Sequence, residues 1–334
     1  MTPPFTAPPV HAGPAHLGYG CSQLMGGISR RQSLALLEAA FDAGIRHFDT
    51  APSYGYGQAE EVLGEALRSH RHQVTITTKF GIAPPRGRSL FGMARRIALP
   101  IVKHVPSLKS RLSRAAGTLK ARTRFAPDEL SASIDASLAA LKTDYIDVFL
   151  LHEAVAADLD DGLFEALERG VERGKIRYFG IGSEVAAAAE VYRRDRRFCP
   201  VMQFEWSVLS GDLPGYPGSF VITHGALLRN FAQLKAWLDA NPLVARQWSN
   251  ALAVDLTDAV VLARLMLAAA RNANPEGLTL FSSRKPQNIR SNAQLMQDQS
   301  SLRAAAAFAA LITRDVPAIL MRHPTMELET APQS

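Results

Sequence analysis

Hydrophobic and polar positions alternate between two rhythms along most of the chain. Short runs rich in β-branched and other apolar residues, Ile45–Phe48, Val74–Thr78, Ile146–Leu151, Ile176–Ile181, Val201–Phe204, Ser219–Thr223 and Leu278–Ser282, read as strands, with a weaker eighth at His16–Tyr19. Between them the apolar residues recur at helical spacing. Leu34, Leu37, Ala40 and Phe41 share one helical face, as do Val62, Leu63, Ala66 and Leu67, and then Leu130, Ile134, Leu138 and Leu141. Strand followed by helix, repeated eight times, predicts an α/β chain closed into a (β/α)8, or TIM, barrel. An open doubly wound sheet would carry a glycine-rich phosphate turn after its first strand. Gly18-Tyr19-Gly20 starts such a turn, but the third position after Gly20 is Gln23.

The rhythm breaks at both ends and once inside. Residues 1–15 form a proline-rich arm, 16–315 are assigned to the barrel, and 316–334 to a C-terminal tail. The internal break, 82–126, is a βα-loop insertion. Eleven of the chain's 37 lysines and arginines fall there with no Asp or Glu among them, so the rest of the chain carries more acidic than basic groups despite the formal charge of +6. The positive charge belongs to this segment, and nucleic-acid binding by the fold as a whole is not expected. Because the insertion leaves the barrel just after Lys79, a lid over the mouth is the preferred expectation for it; contact with an anionic membrane surface competes.

Other classes are narrowed by what the chain carries. Cys21 and Cys199 stand far apart without metal-ligand spacing, so neither a disulfide framework nor a metal site is expected. The apolar stretch Ala259–Ala270 is interrupted by Arg264 and too short to span a bilayer. The N-terminal arm has neither the basic nor the apolar region of a secretory leader, and a cytoplasmic location is expected. Oligomeric state is not legible.

Candidate chemistry lies where the predicted strands end, since a parallel barrel builds its site at that rim. Strand two ends in Asp49, followed by Thr50-Ala51-Pro52-Ser53-Tyr54; strand three ends in Lys79; strand four ends in His152. Any one of these is ordinarily a solvated loop residue or half of a structural ion pair, but the four in order on consecutive strands form a working set. Reduction of a carbonyl needs a proton for oxygen as carbon takes a hydride. Tyr54 can donate it, Lys79 is expected to lower the phenol's pKa, Asp49 to keep the lysine charged, and His152 to orient and polarise the carbonyl.

The stretches Phe48–Gly55, Thr78-Lys79 and Tyr145–His152 resemble the catalytic tetrad motifs of the aldo/keto reductases, over a span from about Gly18 to Asn292 that leaves out the basic insertion. The resemblance implies Tyr54 as general acid, Lys79 and Asp49 as its tuning pair, and His152 as orienting donor. It also implies a nicotinamide cofactor, NADP(H) with NAD as a lesser possibility. Ser183 and Gln203 are placed at the carboxamide, and Ser282, Ser283, Arg284, Asn288 and Asn292 around the adenosine 2′-phosphate and adenine. Glu184 replaces the asparagine that many members carry after the serine. Thr223 falls at the position where many relatives have an aromatic that stacks on the nicotinamide. The implied function is reduction of an aldehyde or ketone, or the reverse oxidation of an alcohol or sugar lactol, with a small-molecule substrate. The competing reading is a non-catalytic barrel that binds nucleotide as a sensor or scaffold; a third makes the basic insertion the working surface, on nucleic acid or membrane.

Overall fold

A computed structural model of the chain describes residues 16–83, 125–295 and 298–317. The proline-rich arm, nearly all of the basic insertion and almost the whole C-terminal tail lie outside the described residues. Eight parallel strands close into a barrel in chain order. They are β1 Leu17–Gly20, β2 His47–Asp49, β3 Thr75–Phe80, β4 Ile146–His152, β5 Ile176–Gly182, β6 Val201–Glu205, β7 Phe220–His224 and β8 Leu278–Phe281. Closure is made by β8 on β1, with Gly18 opposite Leu280. The (β/α)8 expectation holds, and each expected strand is found within about two residues of its predicted ends, the usual scale of boundary disagreement.

Helices α1 Arg30–Asp42, α2 Ala59–Leu67, α3 Pro127–Leu141, α4 Asp161–Glu172 and α5 Val185–Arg194 follow in turn. The interval between β7 and β8 departs from one helix per strand. It carries three, α6 Leu228–Ala240, α7 Pro242–Leu252 and α8 Ala259–Ala273, before α9 Pro286–Leu295 and α10 Gln299–Asp315 complete the ring. Ends are set by ordinary capping: Ser29 and Gln32 form a capping box on α1, and Asp160 accepts from the Leu163 N–H at 2.8 Å to start α4. Trp248 of α7 is fully buried against Phe308 and donates its Nε1–H to Asp315 at 2.7 Å, so the indole covers apolar surface and anchors the extra helix to α10. Among the described residues no helix is long and apolar enough to cross a membrane.

Strand alternation divides the core in two. Val148, Leu150, Val201, Phe220, Ile222, Leu278 and Leu280 share one phase and fill the barrel. Phe149, Leu151, Phe179, Ile181 and Phe204 take the other phase and pack under the helices. Glycine is required where strands crowd: a Cβ on Gly180 of β5 would run into the backbone carbonyl of Val201 on β6. The N-terminal face is locked by buried Asp147, which takes Arg71 on Oδ2 at 2.7 Å, Arg177 on Oδ1 at 2.8 Å and the Ile76 N–H at 2.9 Å. The two guanidinium groups lie over the Tyr145 ring.

One polar group inside the barrel makes the fold acid-sensitive. His47 is fully buried, with Nδ1 2.9 Å from Thr75 Oγ1 and Nε2 3.2 Å from Thr77 Oγ1. Burial pushes its pKa down to about 4. The unfolded chain, with an ordinary imidazole near 6.5, binds the extra proton first, so stability falls as pH drops from about 6.5 towards 4. The total from His47 is about 3 kcal/mol. In urea unfolding followed across that range, His47→Gln is expected to show a shallower loss than the unaltered protein. Equal slopes would mean the imidazole is already charged in the native barrel.

Candidate active site

Asp49 is the last residue of β2, and its phase turns the carboxylate inward at the C-terminal mouth. From there the chain crosses Thr50–Ser53 and enters a 3-10 turn, Tyr54–Gly57, in which Gly55 (φ 57°, ψ 34°) and Tyr56 (φ 58°, ψ 35°) are both left-handed. A side chain at Gly55 would be strained by that φ, and its Cβ would stand 2.5 Å from the Leu24 carbonyl and 2.9 Å from the Met25 Cβ. The β1–α1 loop therefore presses on the turn that aims Tyr54 back over the mouth. Strand β3 runs one residue past Lys79, to Phe80, and the same inward phase brings the lysine to the aspartate.

The distances are those of a built array. Lys79 Nζ donates to Asp49 Oδ1 at 2.6 Å and to the Thr50 carbonyl at 3.0 Å, and lies 5.3 Å from the centre of the Tyr54 ring. The ammonium and the phenol act on each other electrostatically, each favouring the other's charged form. His152, last in β4, stands edge-on to Tyr54, ring centres 6.2 Å apart. All four expected catalytic side chains thus meet at one mouth.

Burial sets the electrostatics. It works against the charge of Lys79, but Asp49 and Tyr54 outweigh it and hold the ammonium pKa above its ordinary value. For Tyr54 the balance goes against the sequence expectation: burial pushes the phenol pKa up, Lys79 pulls it down, and the result stays above the ordinary value. The physical reason is that desolvating a phenolate costs more than one ammonium, already shared with a carboxylate, returns. The phenol is therefore fully protonated near neutral pH, the state a proton donor needs. Cys21, buried beside the array, has its thiol pKa pushed far up by burial and remains an unreactive thiol.

The expected cofactor residues fall in two groups on the rim. Ser183 and Gln203, both buried, stand at β5 and β6. The Ser183 hydroxyl donates to the Ala154 carbonyl at 2.8 Å, and Gln203 Nε2 donates to Asp49 Oδ2 at 2.7 Å. Glu184 is exposed and caps α5 without a side-chain bond. The second group is tied to β1. Ser282 Oγ donates to the Gly20 carbonyl at 3.0 Å, and Tyr19 Oη to the Ser283 carbonyl at 2.8 Å. Arg284 Nε donates to Gln23 Oε1 at 2.9 Å. Ser283 Oγ accepts from the Lys285 N–H at 3.2 Å ahead of α9, where Asn288 and Asn292 lie one turn apart on one face.

One residue was missed, by one position. Thr223 lies in the outward phase, its hydroxyl 3.2 Å from that of Thr279, and does not reach the mouth. His224, next along β7, has the inward phase of Phe220 and Ile222 and ends the strand in the field of Asp49 and Lys79. Burial pushes its pKa down to about 4, so it presents a neutral imidazole. Counting alternation forward from Phe220 and Ile222 would have found it.

Comparison with known proteins agrees with this geometry. The sequence model of the aldo/keto reductase family matches residues 16–212. A D-threo-aldose 1-dehydrogenase of Pseudomonas sp. is 36% identical over 181 residues, 52% of this chain and 51% of that protein. A pyridoxal 4-dehydrogenase of Microbacterium luteolum is 48% identical over 68 residues, 20% of each chain. This chain thus spans about half the length, or less, of the curated relatives it matches. An aldo-keto reductase of Klebsiella pneumoniae solved in complex with NADPH superposes with a TM-score of 0.60 at 22% identity, over 93% of this chain and 92% of that one. The holo form of an aldo-keto reductase of Bacillus halodurans gives 0.61 at 18% identity, over 87% and 91%. At those identities the structural likeness speaks to the fold, while the sequence match covers more than half of the chain and takes in Asp49, Tyr54, Lys79 and His152. The chain belongs to the aldo/keto reductase family.

Proposed function

We propose that the chain is an NADP(H)-dependent oxidoreductase that reduces an aldehyde or ketone to an alcohol, or runs the reverse oxidation on an alcohol or sugar lactol. The observation that carries this reading is the buried Asp49–Lys79 pair set behind a protonated Tyr54. A barrel that only sensed nucleotide would need the walls of the site, but no buried ion pair behind a phenol.

The donor set fits the cofactor. Ser183 and Gln203 have each spent an N–H or O–H on the protein, which leaves their oxygens to accept from a carboxamide NH2. Gln203 Oε1 lies on the Gly182 side, where a Cβ on Gly182 would meet it in ordinary contact at 3.5 Å. A bound NADPH supplies one hydride to the carbonyl carbon. Tyr54 gives its proton to the carbonyl oxygen, Lys79 stabilises the phenolate that results, and Asp49 keeps the ammonium charged throughout. His152 orients the oxygen between itself and Tyr54, and His224, neutral, adds a wall without adding charge.

Arg284 supports NADP over NAD. Its Nε donates to Gln23 and its Nη2 to the Gly26 carbonyl at 3.4 Å, leaving the remaining terminal N–H groups for a 2′-phosphate. Hydrogen bonds to a charged group contribute about 1.5 to 3 kcal/mol. Arg284→Ala is expected to weaken NADPH by about one to two decades in a fluorescence titration and leave NADH nearly unchanged. Equal losses for both would make Arg284 a tether of the β1–α1 loop and nothing more.

The reading as a whole is tested by NADPH oxidation against a panel of aldehydes, ketones and aldoses, with NADP+-dependent oxidation of alcohols and lactols in parallel. The relatives named as aldose and pyridoxal dehydrogenases make the oxidative direction worth equal effort. Tight NADPH binding with no turnover on any class would favour the sensor.

A further inference from the structure

Gln203 stands where the expected carboxamide position meets the Asp49–Lys79 ion pair. Its side chain is almost fully buried, so its bonds are not exchanged with solvent. Asp49 Oδ1 takes Lys79 at 2.6 Å and Oδ2 takes Gln203 Nε2 at 2.7 Å, so each carboxylate oxygen has its own donor. Chemistry settles which end of the amide faces Asp49, because a carboxylate only accepts and Oε1 turned towards it would repel. Oε1 is left on the Gly182 side, facing β5.

We propose that Gln203 is a positioning residue that ties occupancy of the carboxamide position to the acidity of Tyr54, through Asp49 and Lys79; this rests on the reading of the site as a nicotinamide-dependent reductase. An N–H donated to Oε1 polarises the amide and strengthens its Nε2–H as a donor. That bond then draws negative charge from Asp49 towards Gln203. The Lys79 ammonium is left less neutralised, and its field on the phenol grows. Occupancy thus offsets part of the burial that raises the Tyr54 pKa, at the moment a proton donor is needed. By reciprocity, the ligand binds more tightly when the phenol is ionised.

Among the described residues, the groups facing Tyr54 are Lys79, Asp49 and Cys21, with His152 edge-on from β4. His47 and His224 share the field of the pair. The two histidines with pKa pushed down to about 4 stay neutral, and the Cys21 thiol stays protonated, across the working range. They leave the alkaline side of the rate profile to the phenol and its pair, with His152→Gln as the control for β4.

The test is a double-mutant cycle on the full chain with Gln203→Leu, Asp49→Asn and both. NADPH affinity is read by fluorescence, single-turnover NADPH oxidation is read against pH, and urea stability is read without cofactor. Gln203→Leu is expected to weaken NADPH about tenfold in either background, the loss of one hydrogen bond. It is also expected to slow the single turnover about tenfold and move its alkaline limb upward, but only where Asp49 is intact. An equal slowing in both backgrounds with an unmoved limb would overturn the proposal and leave Gln203 as a cofactor contact alone. If the unaltered protein neither bound NADPH nor turned over, the functional reading would fall. The stability cycle would then still decide the positioning role: coupled losses for Gln203→Leu and Asp49→Asn support it, and additive ones refute it.

Discussion

Replacing Tyr54 by phenylalanine is expected to lower kcat by about two to four orders of magnitude, the range for a missing general acid, with the barrel and NADPH affinity retained. The substitution removes one oxygen and leaves the ring. The ring's edge contact with His152 and its place over Lys79 survive, so the turn Tyr54–Gly57 keeps its packing. What is lost is the only proton in the array that stands opposite His152 and is backed by an ammonium. Water is a poor replacement, because it would be held neither opposite His152 nor over Lys79 as the phenol is. The measurement is turnover on the best substrate of the panel, together with a fluorescence titration of NADPH. Unchanged turnover with unchanged affinity would remove Tyr54 from the mechanism and move the search to His152.

The strands were legible because a parallel barrel buries both faces of every strand, leaving apolar runs such as Ile146–Leu151 that stand out against amphipathic helices. The tetrad was legible for a related reason: Asp49, Lys79 and His152 fall at or next to strand ends, and ends can be located to within a residue or two. What could not be read depends on phase or on distance along the chain. Assigning the mouth position of β7 to Thr223 rather than His224 is a slip of one residue, and in a strand one residue reverses the face. The bond from Gln203 to Asp49 joins residues 154 apart, and Arg284 meets Gln23 across 261 residues, so neither leaves a spacing in the sequence. The direction of the Tyr54 shift was missed because it is a balance of burial against charge, and burial is known only once the walls are in place.

Lys79→Met tests that balance from the other side, and it is expected to cost stability as well as turnover. The pair is buried, with side chains 2% and 6% exposed, and Asp49 faces the barrel interior. Taking away the ammonium leaves a carboxylate in a low-dielectric site with the Gln203 amide as its remaining side-chain donor. Breaking a buried pair from one side costs about 3 to 5 kcal/mol, because the stranded charge keeps its desolvation penalty and loses its partner. Removing the charge of Asp49 as well should return most of that loss, since an amide of the same shape carries no charge to strand and can still accept a hydrogen bond. Urea unfolding near pH 7 is therefore expected to rank the unaltered protein first, Lys79→Met with Asp49→Asn close behind, and Lys79→Met alone far below. Activity should follow a different order, with both variants equally poor, because neither puts a positive charge behind Tyr54. If Lys79→Met unfolds at the same urea concentration as the unaltered protein, water reaches Asp49 in the native state, and the pocket is wetter than a raised phenol pKa requires.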